Sequence, residues 1–334
     1  MLMAAGLGTR LKPFTDLEPK ALLPMMGTPM AQFALDAALA AGVERVVANV
    51  HHHAVRAREG LLALERGSME LLISDESQEL LGSAGGIRKA APHFGMEPFF
   101  LLNADVLCEV DLAALGRAHR RLRASHGVSI TLTVFPQPPL GSSGTQHEAY
   151  REILFDASRG LITGLGEKAK GRPFFVGAAV IEPDALGAIQ PNGPAEFVPT
   201  VLLPAIERGQ AGVYLAEGQW HDVGSPALWL QTHLEMIRAL ETGALPRAWR
   251  ERIEDRNQRV ASLQWMDESV SSRLAHVWDW SGPAYWSPWG DASARPPARL
   301  GSSAVLYGSA PSEGGSLSEG IGYGGVWKSV KSPE

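Results

Sequence analysis

Cysteine is almost absent: Cys108 is the single one in 334 residues. That excludes an intrachain disulfide framework and a cysteine-rich zinc or iron–sulfur centre, and it fits a reducing compartment. No apolar run reaches the roughly 18 residues that a membrane-spanning helix needs. The first residues carry no basic stretch leading into an apolar secretion segment, so a cytoplasmic protein without a membrane partner is expected. Broad positive charge is missing as well. The formal net charge is −6 with no basic tail to offset it, which argues against a nucleic-acid partner. An anionic substrate therefore has to be met by a few locally placed cations.

What is present is an ordinary globular composition, 45% hydrophobic and 20% charged. The length suits one large core with a small appendage, or two modest domains. Up to about residue 240, short apolar or β-branched runs alternate with alanine- and leucine-rich helical patterns. Strands are expected at Val43 to Val50, Met69 to Ser74, Pro98 to Asn103, Val128 to Phe135 and Phe174 to Ile181, with a strand pair after residue 144. Helices are expected at Met30 to Ala41, Leu112 to Ala124, Phe197 to Glu207 and Ala227 to Glu241, with Pro136 to Gly144 as an irregular connection. The alternation predicts an α/β fold: three αβα layers around a mainly parallel sheet, Rossmann-like in outline, with ligands at the carboxyl ends of the strands. Residues 1–245 then form a catalytic domain and 250–334 a tryptophan- and glycine-rich extension. In that extension Trp265, Trp278, Trp280, Trp286 and Trp289 are expected to serve packing or oligomerisation.

The run LMAAGLGTRLKPFTDLEPKALLP, Leu2 to Pro24, is the strongest chemical signal. Gly6 and Gly8 let backbone amides approach phosphate oxygens after the first strand. Arg10 and Lys20 add side-chain donors, and Pro13, Pro19 and Pro24 limit how far the loop can wander. The dinucleotide fingerprint is excluded because its third glycine is missing, which sets aside a Rossmann-type oxidoreductase. The standard ATPase phosphate loop lacks its glycine-lysine-serine/threonine ending.

These residues resemble those of the sugar 1-phosphate nucleotidyltransferase family, over about residues 1–240. The motifs that carry the resemblance are Ala4-Ala5-Gly6-Leu7-Gly8-Thr9-Arg10, Pro13, Thr15, Pro19-Lys20 and Leu23-Pro24 near the start. Farther along stand Gly82-Ser83-Ala84-Gly85-Gly86, Asn103-Ala104-Asp105, Glu167-Lys168 and His221-Asp222-Val223-Gly224. The resemblance implies a GT-A-like core and a magnesium-dependent enzyme that joins a nucleoside triphosphate to a sugar 1-phosphate, releasing pyrophosphate. It implies catalytic roles for Arg10, Lys20, Asp105 and Asp222, the two aspartates holding Mg2+. Nucleotide contacts fall to Ala5, Gly6, Gly8, Thr9, Gly85, Gly86 and Asn103, and sugar-phosphate contacts to Glu167, Lys168 and Gly177. Lys170 is a less secure candidate than Lys168. The run ISDESQELLGSAGGI is slightly more similar to the uridylyltransferases of N-acetylmuramic acid than to other members, which puts uridylyl ahead of guanylyl or thymidylyl transfer. A loose likeness to short β-helical appendages covers about residues 298–327, where they support assembly.

Three departures from the family pattern stand out. Only Met1 to Met3 precede the AAG turn, so the first strand is short or the natural start lies upstream. Ala104 replaces a glycine before the metal aspartate, and Ala169 a proline after Glu167-Lys168. A nucleotide-sugar sensor without turnover is the alternative from another class; the four charged residues favour an enzyme. His51-His52-His53 invites a metal reading, but consecutive side chains on a strand alternate faces and cannot converge. A polar-loop role is expected for them, and a local scaffold role for His221.

Overall fold

The computed structural model describes residues 1–136, 150–168 and 173–259, and the short segments 264–265, 279–280, 284–287, 299–300, 304–307, 320–324 and 326–330. Side chains are described throughout except at Lys168 and from 256 to 300. The expected connection from residue 137 onward, Ala169, Lys170, Trp278 and Trp289 lie outside the described residues, as do the side chains of Lys168, Trp265, Trp280 and Trp286.

Two compact units form. The first comprises Met1–Leu7 and Met30–Asp222, the second Gly8–Pro29 and Val223–Glu334. The division thus differs from one near residues 245–250, because the glycine-bearing loop packs with the C-terminal residues.

The first unit is built on a nine-stranded sheet in the order Glu70–Asp75, Arg45–Val50, Leu2–Met3, Phe99–Asn103, Phe174–Ile181, Ile130–Phe135, Ala211–Leu215, Leu161–Lys168 and Arg151–Asp156. The first four run parallel, with Leu2 opposite both Ala48 and Leu102. Phe174–Ile181 then enters antiparallel to both neighbours, Ile130–Phe135 and Ala211–Leu215 are parallel, and the outer hairpin is antiparallel. The core is α/β as expected, but its sheet is mixed rather than mainly parallel. The run FFVGAAVI is almost wholly buried, and a strand covered on both faces reads the same in either direction. Val47, Ile87, Leu101, Ile130, Leu132 and Ile181 lie in one apolar core.

Helix signals are read locally. Leu112–His126 starts at Asp111, whose carboxylate accepts the Ala114 amide at 2.8 Å, and ends at Gly127 in a left-handed conformation (φ 67°). The segment from Phe197 becomes a π-helical turn, Val198–Leu202, running into the α-helix Leu203–Glu207. His53, also left-handed (φ 49°), precedes the helix Ala54–Leu62, and His51 Nδ1 lies 2.7 Å from the Glu76 carbonyl.

In the second unit, Pro226–Glu241 begins at Ser225, whose hydroxyl accepts the Leu228 amide at 3.3 Å. Trp229, Leu230, His233, Met236 and Ile237 form its buried stripe. The five-stranded C-terminal sheet has the order Gln264–Trp265, Ala284–Ser287, Ala304–Tyr307, Gly320–Tyr323 and Val326–Ser329. Its inner pairings are parallel and its outer ones antiparallel. A mixed sheet therefore stands where β-helical turns were expected, because the chain doubles back at both ends.

His233 gives this unit an acid-sensitive point. Its Nδ1 donates to the Trp229 carbonyl (2.8 Å), leaving Nε2 to accept from the Tyr307 hydroxyl (2.6 Å) and the Met26 amide (3.3 Å). This network requires the neutral ring, and burial lowers the pKa from 6.5 to about 4. Below pH ~6.5 the unfolded chain takes up a proton that the folded chain refuses, so stability is lost as pH falls toward 4. The expected slope is about 1.4 kcal/mol per pH unit. His119, also buried, is shifted downward by desolvation and adds in the same direction. Urea denaturation between pH 7 and 5 should show the loss, and His233→Gln should lessen it; a flat profile would contradict the assignment.

Candidate active site

A cleft of ≈ 420 Å³ opens in the first unit, lined in part by Ala5, Gly6, Asn49, Glu76, Ser83, Asn103, Asp105, Phe175 and Phe197. Asn49, Glu76 and Asn103 come from the carboxyl ends of three parallel strands or just beyond, and Ala5 and Gly6 from the turn after Leu2–Met3. This is where an open α/β sheet presents ligands to its loops. Among the described residues, chain neighbours apart, no atom stands within 4 Å of where a Cβ on Gly6 would be, so its backbone faces open space.

A short ribbon joins the two segments that carry the candidate metal carboxylates. Val106–Cys108 pairs antiparallel with Trp220–Asp222, Asp222 lying opposite Val106. Asp105 stands one residue before that pair, in the turn that leads into the ribbon. Trp220 anchors the ribbon. Its indole Nε1 donates to the Val176 carbonyl at 3.2 Å, and its ring meets Phe174 and Tyr150 edge-on at 4.9 and 5.2 Å.

Aspartate carboxylates are hard oxygen donors and suit Mg2+, which commonly takes one or two carboxylates and completes its octahedron with water and phosphate oxygens. Among the described residues no group of three or more His, Cys, Asp or Glu is placed to hold a metal, so the pair depends on substrate oxygens to complete such a site.

Glu76 and Asn49 were not singled out in the sequence, yet they organise the cleft wall. Asn49 Nδ2 donates to Glu76 Oε1 at 2.7 Å, and Asn49 Oδ1 accepts the Ala4 amide at 2.8 Å. Burial raises the Glu76 pKa above its ordinary value. Gly82–Ala90 is a helix whose first amides are met by the Ala195 carbonyl, while Ser83 Oγ donates to Glu196 at 2.6 Å and accepts the Phe197 amide at 2.7 Å. Gly82 and Ser83 line the cleft. Gly85 and Gly86 are buried in the helix, where a Cβ on Gly86 would stand 2.6 Å from Glu76 Oε1. These two glycines therefore serve close packing behind the cleft wall.

Of the residues expected to meet the sugar phosphate, Gly177 (φ 92°) lies against Asn103, within 3.2–3.4 Å of a notional Cβ. Glu167 is exposed on the outer hairpin and does not line the cleft.

In the second unit, Gly8 is left-handed (φ 61°), its carbonyl accepts the Thr15 hydroxyl at 2.9 Å, and a Cβ there would meet Thr15 at 2.6 Å and Lys20 at 3.3 Å. Gly8, Thr15 and Lys20 thus form one knot, with Thr9–Leu11 as a 3-10 turn between them. Lys20 is 8% exposed. The Arg10 guanidinium lies 3.0–3.1 Å from where a Gly224 Cβ would project. Gly224→Ala should push aside only the tip of this flexible side chain, lowering kcat/KM about tenfold with little change in thermal stability. Unaltered kinetics would separate Arg10 from the reaction.

A model of the family described as "Nucleotidyl transferase" matches residues 1–238. The chain is 29% identical over 243 residues to the N-acetylmuramate alpha-1-phosphate uridylyltransferase of Caulobacter vibrioides, covering 72% of this chain and 97% of the relative. It is 30% identical over 254 residues to the corresponding protein of Neisseria meningitidis serogroup B, covering 75% and 99%. Among solved structures, the inositol-1-phosphate CTP transferase from T. maritima shares the fold with a TM-score of 0.56 at 19% identity, over 77% of this chain and 94% of the other.

Proposed function

The chain belongs to the nucleotidyl transferase family, and from that premise we propose that it moves a uridylyl group from UTP to a sugar 1-phosphate through Arg10, Lys20, Asp105 and Asp222. The general reaction, nucleotidyl transfer from a nucleoside triphosphate to a sugar 1-phosphate, is that of an enzyme. A phosphate oxygen of the sugar 1-phosphate attacks the α-phosphorus; the bond from that phosphorus to the bridging β-phosphate oxygen breaks, and pyrophosphate leaves. The attacking oxygen is already ionised, so no protein nucleophile or general base is needed.

The observation that supports this reading is the cleft at the strand ends, which Asp105 lines together with Ala5, Gly6 and Asn103, next to the ribbon in which Asp222 pairs with Val106. These carboxylates would hold Mg2+, which when bound supplies charge neutralisation for the phosphates. Arg10 stabilises charge on the departing pyrophosphate, and Lys20 orients the reacting phosphates. Ala5, Gly6, Gly8, Thr9 and Asn103 serve the nucleotide, supported from behind by Gly85 and Gly86, while Glu167, Lys168 and Gly177 serve the sugar phosphate. UTP is favoured because the two uridylyltransferases are matched over nearly their whole length. A cytoplasmic setting, where nucleoside triphosphates are available, belongs to the same reading; among the described residues no helix is long and apolar enough to cross a membrane.

Competition among UTP, GTP and dTTP with N-acetylmuramic acid, glucose and mannose 1-phosphates tests base and sugar choice. UDP-sugar should dominate the products. Preferential use of GTP or dTTP would overturn the uridylyl assignment.

A further inference from the structure

The loop Gly8–Pro29 contains three single 3-10 turns, Thr9–Leu11, Phe14–Asp16 and Lys20–Leu22, and a two-residue ribbon, Pro24–Met25 with Thr28–Pro29. So little internal ladder does not by itself hold a loop of this length in one geometry. The loop takes its order from elsewhere in its own unit: from Trp229 and His233, and from residues beyond the matched family region, which ends at 238.

Two tyrosines of the C-terminal sheet reach it. The Tyr323 hydroxyl donates to Glu18 Oε2 at 2.5 Å, both residues being buried. Glu18 stands two residues before Lys20, and Leu17 lies against the left-handed Gly324 (φ 57°). Tyr307 reaches the far end of the loop: it donates to His233 at 2.6 Å and accepts the Gly27 amide at 3.3 Å, while His233 accepts the Met26 amide. Trp229 lies between these points. It stacks on Tyr307 with an interplanar angle of 4°, donates to the Pro24 carbonyl at 2.9 Å and meets Phe14 edge-on at 5.2 Å.

We propose that Tyr323 and Tyr307 are positioning residues that hold the Gly8–Pro29 loop, and with it Arg10 and Lys20, in the conformation that binds the triphosphate. This rests on the assignment of Arg10 and Lys20 to the phosphates. A buried carboxylate is costly without donors, and a hydroxyl–carboxylate bond is among the stronger ones. Removing the phenol oxygen therefore favours opening of the loop around Glu18. The C-terminal sheet thus has a role within its own chain, distinct from assembly.

The test compares the full-length protein with Tyr323→Phe, Tyr307→Phe, Glu18→Gln and the Tyr323→Phe/Glu18→Gln pair, by amide hydrogen exchange and steady-state kinetics. Tyr323→Phe should speed exchange across residues 14–23 about tenfold and raise KM for the triphosphate five- to tenfold, with a smaller effect on kcat. The double variant should be little worse than Glu18→Gln alone. Tyr307→Phe should speed exchange at residues 24–27. Unchanged loop exchange in both tyrosine variants would overturn the proposal, as would faster exchange with unchanged KM. Should the wild-type protein transfer no nucleotide at all, the phosphate assignment fails, while the exchange data still decide whether these tyrosines hold the loop.

Discussion

Replacing Asp222 with asparagine is expected to lower kcat roughly a thousandfold while leaving the protein folded. Asparagine keeps the size and shape of the side chain and every backbone bond of the Trp220–Asp222 ribbon, and the buried Trp220 continues to anchor that ribbon against Val176 and Phe174. What is lost is the anionic oxygen donor. Asp105→Asn should cost a similar factor for the same reason. Since both carboxylates are proposed to serve the same ion, the double variant should be little worse than either single one. Pyrophosphate release measured over a magnesium titration, with thermal melts alongside, checks all three. Turnover within a few-fold of wild type in both single variants would remove these residues from the centre of the reaction.

Lys20→Met should lower kcat/KM about a hundredfold and leave the melting temperature unchanged or raised. Lys20 is buried at 8% exposure, methionine fills nearly the same volume, and exchanging a buried charge for an apolar group of similar size is often neutral or stabilising. Loss of function without loss of stability is the signature of a group kept for its charge. A lowered melting temperature with activity retained would show instead that Lys20 serves the packing around Gly8 and Thr15.

How far these features could be read beforehand follows from how local their causes are. The helix Pro226–Glu241 was legible because its cap, its proline and its apolar stripe lie within one continuous stretch. The same holds for Arg45–Val50, a dense β-branched run closed by the polar histidines. The direction of Phe174–Ile181 was not legible, since a strand buried along almost its whole length carries no mark of its neighbours. Asp105 and Asp222 were recognised separately, through resemblance. The pairing that brings Asp222 opposite Val106 depends on a three-residue ribbon, Trp220–Asp222, too short to declare itself in sequence. Glu76 was missed because a carboxylate in a polar run such as DESQEL reads as solvated surface; its burial is created by Asn49, 27 positions away. The tie between Glu18 and Tyr323 spans 305 positions, and no short-range pattern reports such a contact. The aspartate of the sequence WHDVG illustrates both sides: its identity is visible in the sequence, whereas the packing of Trp220, two residues earlier, on Val176 and Phe174 exists only in the fold.

Nucleotidyl transfer to a sugar 1-phosphate is tested by incubating the purified protein with UTP, N-acetylmuramic acid 1-phosphate and magnesium and quantifying pyrophosphate and nucleotide sugar together. One pyrophosphate should appear for each UDP-sugar formed, only when both substrates are present, and should fall to near background in Asp222→Asn. No coupled release of pyrophosphate, with this pair or with any of the four ribonucleoside triphosphates and dTTP across glucose, mannose and N-acetylglucosamine 1-phosphates, would contradict the account.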